Sequence, residues 1–180
     1  MRPSLALGGD PGRSAGMALV EGSADGPVLL GCWNIWGGDA PWDARLFRAL
    51  EGLPPVRSRR ATAAIEPPKN GGASSRLLRA ATWGALMFRV GLIHARLHDL
   101  GWRVEHVSSA TWPGALGCQR GKRDNPEIRI REAAERVKWF GSHAASMPSK
   151  SKRDLERKVC AAEATLIAAW QLKQIAERAA

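Results

Sequence analysis

The sequence predicts an α/β fold in which a mixed sheet of five strands is flanked by helices. Three observations carry this prediction. Short apolar runs separated by Gly, Pro and Asp fill the first third of the chain, a long segment with helical spacing follows, and another short extended run comes after it. Strands joined through a helix favour parallel pairing, so the sheet is expected to begin antiparallel and to continue parallel.

The first three strands are expected to form an antiparallel meander. An apolar strand at residues 5–9 runs into Asp10, and turn residues separate it from strands at 15–21 and 27–36. Residues 42–53 then alternate apolar and charged side chains at helical spacing, until two prolines end this helix.

A strand, a long helix and a further strand are predicted next. The strand at 60–66 ends at Glu66, because the two prolines that follow cannot continue a ladder of hydrogen bonds. A loop at 68–72 leads into a helix at 74–100 that Ser74 could cap, and residues 102–107 form the fifth strand.

The last third of the chain is predicted to be mainly helical. We expect a short helix or turn at 108–116, a loop rich in Gly, Lys and Arg at 117–125, and an amphipathic helix at 126–139. Residues 141–152 are predicted to be a polar, basic linker before a final helix that starts near residue 154. The predicted order is therefore βββ-α-β-α-β-α-α.

Length and composition favour one domain, residues 1–180, that acts on a polyanion. The chain has 27 Lys and Arg against 17 Asp and Glu, a net charge of +10, which favours a nucleic-acid partner. No apolar run approaches the length of a membrane span, so a cytoplasmic protein is expected. The three cysteines lie far apart, which argues against a disulfide framework or a thiolate zinc site.

Three acidic residues occupy positions where a carboxylate is unexpected. Asp10 and Glu66 each end an apolar strand, and Glu163 lies within an apolar, alanine-rich stretch of the last helix. Carboxylates at the tips of neighbouring strands would converge, and hard divalent cations require such oxygen ligands. Taken singly, Asp10 could instead start a turn, Glu66 could cap a strand end, and Glu163 could lie on a polar helix face beside Arg157 and Lys158.

The segments around these acids resemble those of the RuvC-like Holliday junction resolvases, which have a ribonuclease H-like fold. The segment from Leu7 to Ala18, with Asp10-Pro11-Gly12 inside it, is similar to their opening strand and catalytic Asp. Ala63-Ala64-Ile65-Glu66, followed by a Gly-rich loop and a long helix, looks like their second acidic segment. Cys160-Ala161-Ala162-Glu163-Ala164 looks like their C-terminal acidic helix in phage-type members.

The resemblance implies cleavage of four-way DNA junctions by two-metal-ion hydrolysis in a bacterial or phage-infected cell. Asp10, Glu66 and Glu163 would hold Mg²⁺, with Mn²⁺ as a substitute and two ions per site. The family usually has an acid or a His three residues before the last acid, and this chain has Cys160 there. Cys is a poor ligand for magnesium. Glu156, two helical turns before Glu163, could supply the missing carboxylate.

The resemblance also implies contacts with branched DNA and with a second copy of the chain. The family's long helix, equivalent to residues 74–100 here, forms a two-fold homodimer. Basic residues in the loops around the acids are candidates for binding DNA phosphates rather than bases. They are Lys69, Arg120, Lys122, Arg123, Lys150, Lys152 and Arg153.

Other functions remain open from the sequence. One is a ribonuclease H-like nuclease that acts on flaps or on RNA–DNA hybrids. Another is a non-catalytic protein that binds junctions, which the substitution at Cys160 allows. A sugar-kinase or actin-like ATPase starts with a similar Gly-Asp hairpin, but 180 residues are too few for its two lobes.

Overall fold

A computed structural model describes residues 4–11, 15–35, 42–53, 61–67, 80–118 and 126–179. The strands are β1 (Leu5–Asp10), β2 (Gly16–Ser23), β3 (Gly26–Asn34), β4 (Ala61–Ile65) and β5 (Arg103–His106). The helices are α1 (Trp42–Glu51), α2 (Ala80–Asp99), α3 (Trp112–Ala115), α4 (Pro126–Arg136), α5 (Phe140–Ser146) and α6 (Lys152–Glu177).

The five strands form one mixed sheet in the order β3-β2-β1-β4-β5. β1 pairs antiparallel with β2, and β2 pairs antiparallel with β3, as the tight turns between them predict. β1 also pairs in parallel with β4, and β4 pairs in parallel with β5 across the crossover that contains α2. The predicted fold class is therefore confirmed, including the change from antiparallel to parallel pairing.

Alternating residues of the strands fill two separate cores. Leu5 and Leu7 face the α1 and α2 side, where they pack with leucines and isoleucines of those helices. Ala6 faces α6 and belongs to the second core, called the α6 core. The sheet residues on that side are mostly small. The alternation follows from the period of two along a strand, and it assigns Asp10 to the α6 face.

The prediction of a basic linker at 141–152 was wrong in its first half. Residues Phe140–Ser146 form α5, in which Phe140 and Ala144 are buried one turn apart against the α6 core. Two apolar anchors suffice to dock this short helix, and its polar remainder hid it in the sequence. The final helix begins at Lys152, because Ser151 and Asp154 form a reciprocal capping box.

The predicted helix at 126–139 ends earlier than expected, at Arg136. Trp139 follows with a φ of 72°, a left-handed conformation that is uncommon for residues other than Gly, Asn and Asp.

In the described part of the chain, no helix combines the length and the apolar character that crossing a bilayer requires. The predicted loop at 68–72 and the predicted cap at Ser74 lie outside the described residues.

Candidate active site

Asp10 is the last residue of β1, at the edge of the sheet where the parallel strands β1, β4 and β5 end. Its backbone is opposite Gly16 at the start of β2, and its side chain is partly buried. Gly8, two residues earlier, faces α6 so directly that a Cβ there would meet the backbone of Ala164. Asp10 therefore points to the α6 side of the sheet, one step beyond the closest contact.

Glu66 follows the last residue of β4 and lies beside Asp10. Its backbone N–H donates to the carbonyl oxygen of Gly9 over 2.9 Å, which extends the β1–β4 pairing by one residue. Ala64 belongs to the α6 core, so Glu66, two residues later, lies on the same face. The sequence prediction that Asp10 and Glu66 end neighbouring strands at one edge agrees with this geometry.

Glu163 lies on α6, the helix that packs against this face of the sheet. The helix lies directly on the sheet, because Gly8 and Gly16 leave room for its backbone at Ala164 and Cys160. Glu163 is one residue before Ala164, and its side chain is 27% exposed. One partner is Arg129 of α4, whose Nε lies 3.8 Å from Oε1 of Glu163.

Trp112 of α3 is a site residue that sequence reasoning did not single out. Its side chain is 1% exposed, and its indole N–H donates to Oε2 of Glu66 over 2.8 Å. The Arg129 guanidinium carbon lies 5.3 Å from the centre of the Trp112 ring, a cation–π distance. Trp112 thus contacts both Glu66 and the partner of Glu163.

Glu132 of α4 completes this arrangement, and it was also missed. It is 4% exposed, and its Oε2 accepts a hydrogen bond from Nη1 of Arg129 over 2.7 Å. Burial, together with the negative charge of Glu132, raises the pKa of the neighbouring Cys118 thiol. An Arg and a Glu three residues apart on a helix are a common sequence pattern, so no sequence signal distinguished this pair from a surface one.

The donor chemistry at this end of the sheet fits a hard divalent cation, since Asp10 and Glu66 share one face, Glu163 lies on the helix packed against it, and such ions take oxygen ligands. Within the described residues, however, no three His, Cys, Asp or Glu side chains are grouped closely enough to enclose an ion. Glu66 is hydrogen-bonded to Trp112, and Glu163 is paired with Arg129. A carboxylate has about four lone-pair sites on two oxygens, so these contacts are compatible with metal binding.

No protein-family model and no curated protein sequence matches this chain. Solved structures do match its shape. A Thermus thermophilus RuvC in complex with a Holliday junction substrate superposes with a TM-score of 0.61 at 14% identity, over 96% of both chains. A second Thermus thermophilus RuvC structure gives 0.58 at 17% identity, again over 96% of both. The Fowlpox virus resolvase, in complex with its Holliday junction DNA, gives 0.54 at 12% identity over 94% of this chain and 99% of that one.

The chain has a RuvC-like fold. The match covers nearly the full length of both chains, so it includes the sheet, the long α2 and the C-terminal α6. At identities of 12–17% this similarity shows the fold of the backbone and does not assign a role to any side chain.

Cys160 replaces the acid or His that the resemblance leads one to expect on α6. It is partly buried, and its carbonyl oxygen lies against Gly16, directly across the sheet pairing from Asp10. Cys32 of β3 is near by and points to Ala161; burial raises the pKa of its thiol to about 12, so it is a neutral thiol at physiological pH. Glu156 is exposed on the first half of α6.

Three of the predicted DNA-binding residues lie at the start of α6. Lys150, Lys152 and Arg153 are exposed. Because α6 rises about 1.5 Å per residue, Lys152 lies roughly 12 Å along the helix axis from Cys160. It is at the N-terminal end of α6, which extends beyond the end of β1 that carries Asp10. Lys150 and Lys152 also line a cavity of about 630 Å³ between α4, α5 and α6. The other four, Lys69, Arg120, Lys122 and Arg123, lie outside the described residues.

Proposed function

We propose that this protein is a metal-dependent endonuclease that cuts four-way DNA junctions. One observation carries the proposal: a RuvC-like fold in which Asp10 and Glu66 end adjacent parallel strands, on the face that α6 covers with Glu163. The net charge of +10 favours a polyanionic substrate. Two of the similar solved structures are complexes with Holliday junction DNA, which supports the choice of substrate.

Asp10, Glu66 and Glu163 would hold two magnesium ions, with manganese as a substitute. Asp10 would contribute oxygen to both ions, while Glu66 and Glu163 would each contribute to one. Such ions supply an activated water and stabilise the leaving 3′ oxygen of the phosphodiester. The chain itself provides the fixed positions of the carboxylates, because both strands and the helix that carry them belong to the packed core.

We further propose that the protein acts as a homodimer through α2. Phe88 is 66% exposed and Met87 is 40% exposed on this helix, and a Cβ at Gly84 or Gly91 would meet nothing within 4 Å. These residues lie at near-heptad spacing, so they form one stripe along the helix. Two copies paired across this stripe would direct two active sites to opposite strands of a junction.

The test is cleavage of a labelled four-way junction, compared with a matched linear duplex, a flap and an RNA–DNA hybrid. Each substrate is incubated with Mg²⁺, with Mn²⁺ and with chelator. Paired nicks in the junction alone, lost with chelator, are the expected result. Cleavage of the flap or the hybrid in preference to the junction would instead support another ribonuclease H-like nuclease.

The presence of Cys160 favours a second candidate function, which is binding of junctions without cleavage. Cys offers a soft sulfur where an oxygen ligand would suit magnesium. Tight junction binding with no cleavage by the parent protein, together with a gain of cleavage in Cys160→Asp, would support this candidate. Cleavage by the parent protein would exclude it.

A further inference from the structure

We infer that Trp112 and Arg129 are positioning residues that hold two of the proposed metal ligands, Glu66 and Glu163, in a single bracket. This inference rests on the proposed function, and it adds residues that neither the sequence motifs nor the fold assigns. The bracket consists of three contacts in series, Glu66 to Trp112, Trp112 to Arg129 and Arg129 to Glu163, and a fourth contact that joins Arg129 to Glu132.

The first half of the bracket fixes Glu66. This residue lies just beyond the end of β4, where its backbone is held by one hydrogen bond to Gly9 but its side chain is outside the ladder. Trp112 is buried in the α6 core, and the packing around its ring holds the N–H that donates to Glu66. A donor with a fixed direction limits the rotamers of the carboxylate that accepts from it.

The second half of the bracket is an ion pair that orients Glu163. Arg129 is 15% exposed, with its guanidinium placed over the Trp112 ring and bonded to the buried Glu132. An arginine held on two sides presents its Nε to Glu163 in a defined direction. Glu132 takes the shorter contact, 2.7 Å against 3.8 Å, so it anchors Arg129 while Glu163 stays the more loosely held partner.

The bracket makes a specific prediction, because partners of metal ligands tune affinity for the ion. Removing such a partner typically costs about tenfold to a hundredfold in metal affinity or activity. Trp112→Phe removes only the N–H and part of the ring, and Arg129→Lys keeps the charge but loses the planar fork. Each variant should bind Mn²⁺ about tenfold more weakly, and each should need more Mg²⁺ for half-maximal cleavage.

The chain offers a matched control for each variant. Trp102 is 2% exposed in the other core, and its indole N–H meets no hydrogen-bond partner in the described part of the chain. Trp102→Phe therefore repeats the loss of volume without touching the candidate site. Arg96 lies over the Phe47 ring at 5.5 Å, so Arg96→Lys repeats the loss of a cation–π contact elsewhere.

The experiment measures Mn²⁺ affinity by calorimetry, the Mg²⁺ dependence of junction cleavage, junction affinity in chelator, and thermal unfolding. We expect the two site variants to lose metal affinity, with junction affinity unchanged and with unfolding temperatures close to those of their controls. The double variant Trp112→Phe/Arg129→Lys should lose less than the sum of the two single losses, because one bracket is broken in both cases.

The inference is overturned if the parent protein binds Mn²⁺ and cuts junctions while each site variant binds Mn²⁺ as its control does. That outcome leaves the proposed function intact. A parent protein that binds no Mn²⁺ overturns the bracket together with the metal site. If Trp112→Phe proves too unstable to measure, Arg129→Lys decides the question alone, since Arg129 is not part of the hydrophobic core.

Discussion

The carbonyl oxygen of Cys160 lies where a side chain on Gly16 would have to begin. The same relation holds between Gly8 and the carbonyl oxygen of Ala164, one helical turn further along α6. Two glycines on neighbouring strands thus allow the backbone of α6 to touch the sheet. This contact sets the distance between Glu163 on the helix and Asp10 on the strand.

Gly16→Ala is expected to destabilise the protein and to reduce any cleavage. The new Cβ would push α6 away from the sheet, and overpacking of this kind costs about 1–3 kcal/mol. Thermal or denaturant unfolding measures the loss. Gly22→Ala, in the same strand, is the control, because its Cβ would meet Leu172 and Ser4 at ordinary contact distances of 3.6 and 3.7 Å. Equal losses in the two variants would contradict the close-approach argument.

Phe88→Glu is expected to convert a dimer into a monomer. The substitution places a charge in the middle of the apolar stripe on α2, where a partner helix would leave it without solvent. Analytical sedimentation or light scattering measures the molar mass of the parent protein and of the variant in solution. Leu30→Glu serves as the control, since Leu30 is 49% exposed on β3, the strand at the edge of the sheet. A parent protein that is monomeric at all concentrations would rule out the proposed α2 dimer.

Glu105→Gln is expected to reduce stability at neutral pH but not in acid. Hydrogen bonds from Arg178 hold the pKa of Glu105 below its ordinary value of 4.5. A lowered pKa in the folded state means that the carboxylate stabilises the fold above its ordinary pKa, and this contribution disappears as the pH falls through the lower, folded value. The difference in unfolding free energy between parent and variant, which is present at pH 7, should therefore shrink below pH 4.5.

Unfolding curves of the parent and Glu105→Gln between pH 7 and pH 3 check this prediction. Arg178→Met should reproduce the loss at pH 7, because it removes the same contact from the other side. A stability difference that stays constant over this range would show that the Glu105–Arg178 pair does not account for it.

Lys150→Ala/Lys152→Ala is expected to weaken junction binding and to reduce its salt dependence. Each phosphate contact that is lost should lower the slope of log K against log salt by about one. Arg103→Ala/Lys138→Ala is the matched control: it removes the same charge, but its residues lie at the strand ends opposite Asp10. Identical slopes for the two double variants would mean that only net charge, not this surface, attracts the DNA.

The strands and their pairing could be predicted from the sequence because their signals are local. Short apolar runs bounded by turn residues define β1, β2 and β3, and the prolines after Glu66 mark the end of β4. The same local logic placed Asp10 and Glu66 at strand ends. It failed for α5, where only Phe140 and Ala144 are apolar anchors.

The contacts around the candidate site could not be predicted, because they join elements far apart in the chain. Nothing near Trp112 in the sequence indicates that its N–H reaches Glu66, and nothing near Arg129 indicates that it reaches Glu163 rather than solvent. The sequence showed the alanine-rich stretch around Glu163, but the glycines that let α6 touch the sheet, Gly8 and Gly16, became clear only once the strands were paired.

Junction cleavage by Asp10→Asn tests the central claim most directly. Asn keeps the size of the side chain and removes the charge that two cations would share. The variant should bind the four-way junction as tightly as the parent and fold as well, while its cleavage in Mg²⁺ falls by at least about a hundredfold, the upper end of the loss when only a ligand's partner is removed. Cleavage at the parental rate would contradict the assignment of Asp10 to the active site, and with it the site built from Asp10, Glu66 and Glu163.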